Sequence, residues 1–117
     1  MISRKIIDSL YKRYNKPPKS IDMLNLVLLF DYAAEHHKVY IDPDTEELII
    51  PSVSPESPFH KIAIKRINAI VPFEEWVAIV LHSSIIFLNK KSSKVSVNIK
   101  MPKPSLWERV KSIFSHE

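Results

Sequence analysis

The spacing of hydrophobic residues changes character twice along this chain. Ile6, Ile7, Leu10, Tyr11 and Tyr14 recur at steps of one, three and four, which predicts a helix over residues 3–14 with one apolar face. Ser3 is placed to cap it. Asn15-Lys16-Pro17-Pro18 ends it, because proline restricts the residue before it and brings no N–H. Ser20 and Asp22 then open a second helix over 21–36, apolar nearly all round from Met23 to Phe30 and therefore expected to be buried. A strand over 26–30 is the competing reading of that short run.

From Val39 onward the period shifts to that of strands. Val39–Asp42 and Glu47–Ile50 flank Pro43-Asp44-Thr45-Glu46, which has the residue types of a hairpin loop. The segment from Pro51 to Pro58 reads as a loop. Ile62 and Ile64 alternate with Lys61, Ala63 and Lys65 as in a half-buried strand, and the spacing of Ile67 and Ile70 predicts a turn of helix. The strongest β signal is Trp76–Leu81 followed by Ile85–Leu88, separated by His82-Ser83-Ser84. It predicts a central hairpin buried on both faces. After a lysine-serine turn, Val95, Val97 and Ile99 alternate with Ser96, Asn98 and Lys100, which predicts an outer strand with one wet face. Pro102 and Pro104 stop the sheet. Ser105 and Glu108 form a capping box for an amphipathic helix over 105–115, with Leu106, Trp107, Val110, Ile113 and Phe114 as its stripe.

Together these elements predict a single α+β domain over residues 1–117. It has two N-terminal helices (1–38), an antiparallel meander sheet of five or six strands (39–101) and a closing C-terminal amphipathic helix (105–115). The order of short meandering strands closed by a helix resembles small pleckstrin-homology-like barrels over residues 39–115. That resemblance lies in element order alone and implies a fold, not a function.

Composition removes many chemistries. The chain contains no glycine, so the phosphate-binding loop, the dinucleotide fingerprint, the nucleophile elbow and the glycine-dependent RNA-binding motifs are all excluded. It contains no cysteine, which excludes disulfides, thiolate metal sites and thiol nucleophiles. Turns must be built from Pro, Asn, Asp and Ser instead, and nine prolines are present. The first residues, Met1-Ile2-Ser3-Arg4-Lys5, lead into no apolar segment of signal type, and no apolar run approaches the roughly 20 residues of a membrane span. The expected location is the cytoplasm.

Candidate chemistry is sparse. His36 and His37 are adjacent, so on a helix they point about 100° apart and cannot chelate together. A metal site would need one of them to meet His60 and an acid in space. Asp42–Glu47 opens like a calcium loop but lacks the glycine at its sixth position, and Val53 stands at its twelfth. No spacing selects a carboxylate pair or a catalytic serine. No catalytic residue, metal ligand or cofactor is therefore predicted.

Charge is the better lead. Residues 1–20 carry six Lys/Arg against Asp8. Residues 21–58 carry eight acids against Lys38, and residues 90–104 carry five lysines and no acid. Arg4, Lys5, Lys12, Arg13, Lys90, Lys91, Lys94 and Lys100 are the candidate contacts for an anionic partner, either nucleic acid or an anionic membrane surface. Tyr11 and Tyr14, interleaved with the first block, fall on the apolar face of their helix. The open edge expected around 95–99 offers a place for a protein partner or a second copy. The leading expectation is a non-catalytic interaction or scaffold domain. An anionic-partner binder is the alternative, and a small enzyme with an unrecognised site is the second alternative.

Overall fold

The computed structural model describes residues 2–17 and 23–100, the side chains at 23–28 and 34 excepted. Helices α1 (Arg4–Arg13) and α2 (Met23–His37) precede strands β1 (Tyr40–Asp42), β2 (Glu47–Ile49) and β3 (Lys61–Ala63). A 3-10 turn (Ile64–Arg66) leads to β4 (Ala69–Phe73), β5 (Trp76–Val80), β6 (Ser84–Asn89) and β7 (Val95–Ile99).

Two antiparallel sheets form, ordered β1-β2-β3 and β4-β5-β6-β7. At the centre of the larger sheet, β5 pairs with β6 from Trp76 opposite Asn89 to Val80 opposite Ile85. Every residue of β6 is buried. Because successive side chains in a strand point to opposite faces, these two strands supply both cores. Val77, Ile79, Ile86 and Leu88 join Leu29 and Ala33 of α2 and Leu48, Ile50 and Ile62 of the smaller sheet. Ala78, Val80, Ile85 and Phe87 join Leu10, Ile6, Ile7, Tyr11 and Tyr14 from the region of α1. The four-stranded sheet is thus the middle layer, with α1 on one face and α2 plus the small sheet on the other. Phe87 is the aromatic hub of the α1 side, edge-on to Phe73 at 5.9 Å and to Trp76 at 6.4 Å.

The expected single meander closed by a helix is overturned. The seven strands divide between sheets of three and four, and the described chain is mostly sheet. The helix predicted over 105–115 and the Ser20 cap lie outside the described residues. The division has a physical reason. A sheet buried on both faces needs two covers, and the β1–β3 sheet, lying over one face, buries Leu48 and Ile62 where a continuous meander would leave that face wet. Strand β4 escapes the sequence pattern because Pro72 sits within it and Ile67 and Ile70 imitate a helical step. Proline is tolerated there because β4 is an edge. The two-residue turn makes Phe73 and Trp76 the closing pair, so the N–H that Pro72 lacks would point outward.

Local signals agree better. Ser3 accepts a hydrogen bond from the Ile6 N–H at 3.3 Å at the start of α1. Residues 26–30 are helical, not a strand. Asp42 Oδ1 accepts from the Asp44 N–H at 3.0 Å and the Asp42 carbonyl from the Glu46 N–H at 2.9 Å, closing the β1–β2 turn.

A chain without glycine must turn with other residues in the left-handed region. Lys38 (φ 52°) follows the last residue of α2, Glu46 (φ 54°) ends the β1–β2 turn, and Glu74 (φ 48°) begins the β4–β5 turn. Each conformation costs an L-residue about 1–2 kcal/mol, and glycine escapes this while adding about 0.5–1 kcal/mol of chain entropy to the unfolded state. Lys38→Gly and Glu46→Gly are each predicted to raise the melting temperature by a few degrees in calorimetry. A lower melting temperature for both would contradict the strain assignment.

Candidate functional site

The predicted basic residues do not form one patch. Lys5 borders an open groove of about 400 Å³ between α1 and β4, with Phe73 and Glu74 on its other side. Lys91 and Lys94 border a second cleft, about 750 Å³, beside the β6–β7 turn together with Glu75 and Trp76. Lys90 reaches back from the same turn. Its ammonium lies 4.4 Å over the Tyr32 ring and donates to the Glu74 carbonyl at 2.9 Å. Arg4 pairs with Asp8 one helical turn on, at 3.5 Å, in the open. The sheet's other end holds Arg13, 5.6 Å over Tyr14, and Lys100, 5.4 Å over Tyr11. Lys12 is exposed on the last turn of α1. The length of β7, roughly 16 Å at about 3.3 Å per residue, separates the two groups. Two acids, Glu74 and Glu75, lie in the turn that Lys90 contacts.

What the basic residues flank is more informative. Strand β7 pairs with β6, Val95 opposite Leu88 through Ile99 opposite Ser84, and among the described residues nothing pairs with its outer edge. The Asn89 N–H donates to the Lys94 carbonyl at 3.0 Å and the Lys100 N–H to the Ser83 carbonyl at 2.8 Å. In an antiparallel ladder such bonded pairs alternate, so Ser96 and Asn98 also bond inward. The N–H and C=O groups of Val95, Val97 and Ile99 therefore point away from the sheet. Two of these three also expose their side chains, Val97 by 38% and Ile99 by 60%. The sequence pattern predicts one wet face; Ser96 and Lys100 are indeed exposed, but Val97 and Ile99 on the opposite face are exposed as well. On the polar face α1 reaches only Asn98, the Tyr11 hydroxyl donating to its carbonyl at 3.2 Å and to its Oδ1 at 2.9 Å. Burial raises the Tyr11 phenol pKa and keeps it a donor.

The β6–β7 turn is held from beneath by His37, a buried imidazole with 1% of its surface exposed. Nε2 lies 2.9 Å from the Asn89 carbonyl, which only accepts, so Nε2 carries the proton. Nδ1 of the neutral ring then accepts from the Ser52 hydroxyl at 2.6 Å. The end of α2, the 51–60 loop and the end of β6 are joined at this one ring. Asn89 extends the connection, its Oδ1 accepting from the Lys91 N–H at 2.9 Å. A serine donating to an imidazole is also how hydrolases activate a nucleophile, but here the ring is buried and the clefts at the β6–β7 turn and between α1 and β4 are lined by other residues. The pair acts as a brace. The partners of His37, 15 and 52 residues away, were not legible in the sequence.

The histidine metal hypothesis fails on geometry. The Nδ1 of His37 is taken by Ser52, and His60 Nδ1 donates to the Val53 carbonyl at 2.8 Å. Among the described residues no three His, Asp or Glu side chains converge, and no helix is long and apolar enough to cross a membrane.

No family model, curated protein or solved structure matches this chain. The likeness to pleckstrin-homology-like barrels thus has no counterpart among solved structures, and the site must be read from its own geometry.

Burial lowers the His37 pKa, with His36 adding to the effect while the hydrogen bonds to backbone at Asn89 and Ser92 oppose it. The unfolded chain, with histidine near 6.5, therefore takes up a proton before the folded one does. Stability is full above that pH and declines as the pH falls through it. His37→Gln keeps one donor and one acceptor without the charge. Between about pH 7 and pH 5 the wild-type melting temperature is predicted to drop more steeply than that of His37→Gln. Parallel profiles would contradict the role assigned to the ring.

Proposed function

We propose that this protein is a non-catalytic interaction domain that binds an extended segment of another protein along the outer edge of β7. The observation that carries this reading is the run of outward backbone groups at Val95, Val97 and Ile99, beside exposed apolar side chains on the last two. An unpaired edge is a template for a further strand, with main-chain hydrogen bonds giving affinity and alternate side chains giving selectivity. The opposite edge offers less, because Pro72 interrupts its outward donors. Strand β7 is also held ready. Its polar face is tied to Tyr11 and its entry turn to Asn89 and His37, so binding need not order the strand.

Nucleic acid or acidic lipid on the basic blocks is supported less well. Arg13 and Lys90 lie over tyrosine rings, Arg4 pairs with Asp8, and the cations stand in two groups at opposite ends of the sheet.

Val97→Pro tests the reading. It deletes an outward N–H and leaves the inward bonds of Ser96 and Asn98 in place. A displayed library of random peptides selected on the wild-type protein is predicted to yield segments with alternating apolar residues and no central proline. Val97→Pro, melting within a few degrees of wild type, should not retain them. Equal retention by Val97→Pro, or selection of peptides without strand pattern, would overturn the proposal.

A further inference from the structure

We infer that the segment accepted by β7 is an acidic strand from a different protein, and that the same charges that select it exclude a second copy of this chain. This rests on β7 being the binding edge.

Lys94 and Lys100 bracket the strand, both exposed, with Lys91 exposed in the turn before it. Their side chains share the α1 face with Ser96 and Asn98, while Val97 and Ile99 occupy the other. An added strand of alternating pattern lays its apolar residues beside Val97 and Ile99. Its remaining residues then fall on the lysine side, where carboxylates meet opposite charge at both ends of the strand. Glu75 in the cleft beside Lys91 and Lys94 offsets part of the positive charge at the entry end. Lys100 at the exit end faces the Tyr11 ring, and no carboxylate pairs with it among the described residues.

Self-pairing meets the opposite situation. Outward groups lie at residues 95, 97 and 99, so a two-fold antiparallel pair engages all three only when Val97 lies opposite Val97 of the copy. That register sets Lys94 opposite the copy's Lys100, twice in each dimer. Like charges directly opposite one another destabilise a pair of strands, and lysine on an edge is a known guard against such association. The lysines therefore keep the edge open for a partner of opposite charge.

The test uses the full chain and three capped heptapeptides alternating valine with glutamate, threonine or lysine. Binding is followed by isothermal titration and by amide exchange at β7. The glutamate peptide is expected to bind at least tenfold more tightly than the threonine peptide, and the lysine peptide most weakly. The preference should shrink as salt rises, because exposed charges are screened. Lys94→Glu combined with Lys100→Gln should erase or reverse the preference while still binding the threonine peptide. Lys91→Glu with Lys94→Glu serves as the second variant, leaving the Lys100 contact with Tyr11 intact. Sedimentation should show wild type as a monomer.

Equal affinity for all three peptides, with β7 amides protected in each complex, would overturn the acidic assignment and leave the edge reading standing. Failure of every peptide to protect those amides would overturn both. Dimerisation abolished by Val97→Pro would overturn the exclusion of a second copy. A single-stranded oligonucleotide that binds equally to wild type and Val97→Pro, and more tightly than the glutamate peptide, would overturn the choice of protein as partner.

Discussion

The β5–β6 pair is the constraint on which the rest of this structure depends. Val77-Ala78-Ile79-Val80 and Ile85-Ile86-Phe87-Leu88 bury every side chain, alternately toward one core and the other. Each fully buried Val, Leu, Ile or Phe contributes about 1.5–3 kcal/mol, so the seven such residues here, with Ala78 between them, supply much of the driving force for folding. A pair that is apolar on both faces demands a cover on each. The covers account for the remaining elements: α1 on one side, and α2 with the short β1–β3 sheet on the other. The outer strands β4 and β7 complete the ladder, and each needs its own means of managing an edge.

Those means differ, and the proposed function rests on the difference. Strand β4 carries Pro72, whose missing donor faces outward. Strand β7 has no proline; lysines stand at its two ends and its apolar Val97 and Ile99 remain exposed. It is also fastened from two sides, by Tyr11 of α1 through Asn98 and by His37 through Asn89. Among the described residues nothing pairs with this edge, and in the proposed reading its like charges discourage a second copy while leaving room for an acidic strand. The lack of glycine adds a cost elsewhere, with Lys38, Glu46 and Glu74 held at positive φ in the turns that place α2, β2 and β5.

The sequence carried the strongly periodic elements. The α1 face, the β1–β2 hairpin, the doubly buried β5–β6 pair and the existence of β7 follow from spacing alone. What it did not carry was long-range pairing. Strand β4 was hidden by Pro72 and by the helical step from Ile67 to Ile70. Division of the strands into two sheets depends on which face each one covers, and no local period records that. The lysines were visible as blocks, but their separation by the length of β7 was not. Exposure of Val97 and Ile99 beside that of Ser96 was not legible, because alternation does not record that an edge strand extends past the elements covering both faces of its sheet. The His37 brace joins residues 15 and 52 positions apart in the chain, and no local pattern records such pairs.

The most direct test of the account is residue-resolved amide hydrogen exchange at β7 in the free 117-residue chain. The amides of Ser96, Asn98 and Lys100, bonded to the sheet, should exchange slowly, while those of Val97 and Ile99 exchange orders of magnitude faster. Protection of Val97 and Ile99 equal to that of Ser96 and Asn98 would show the edge already paired, and would contradict its assignment as the binding element.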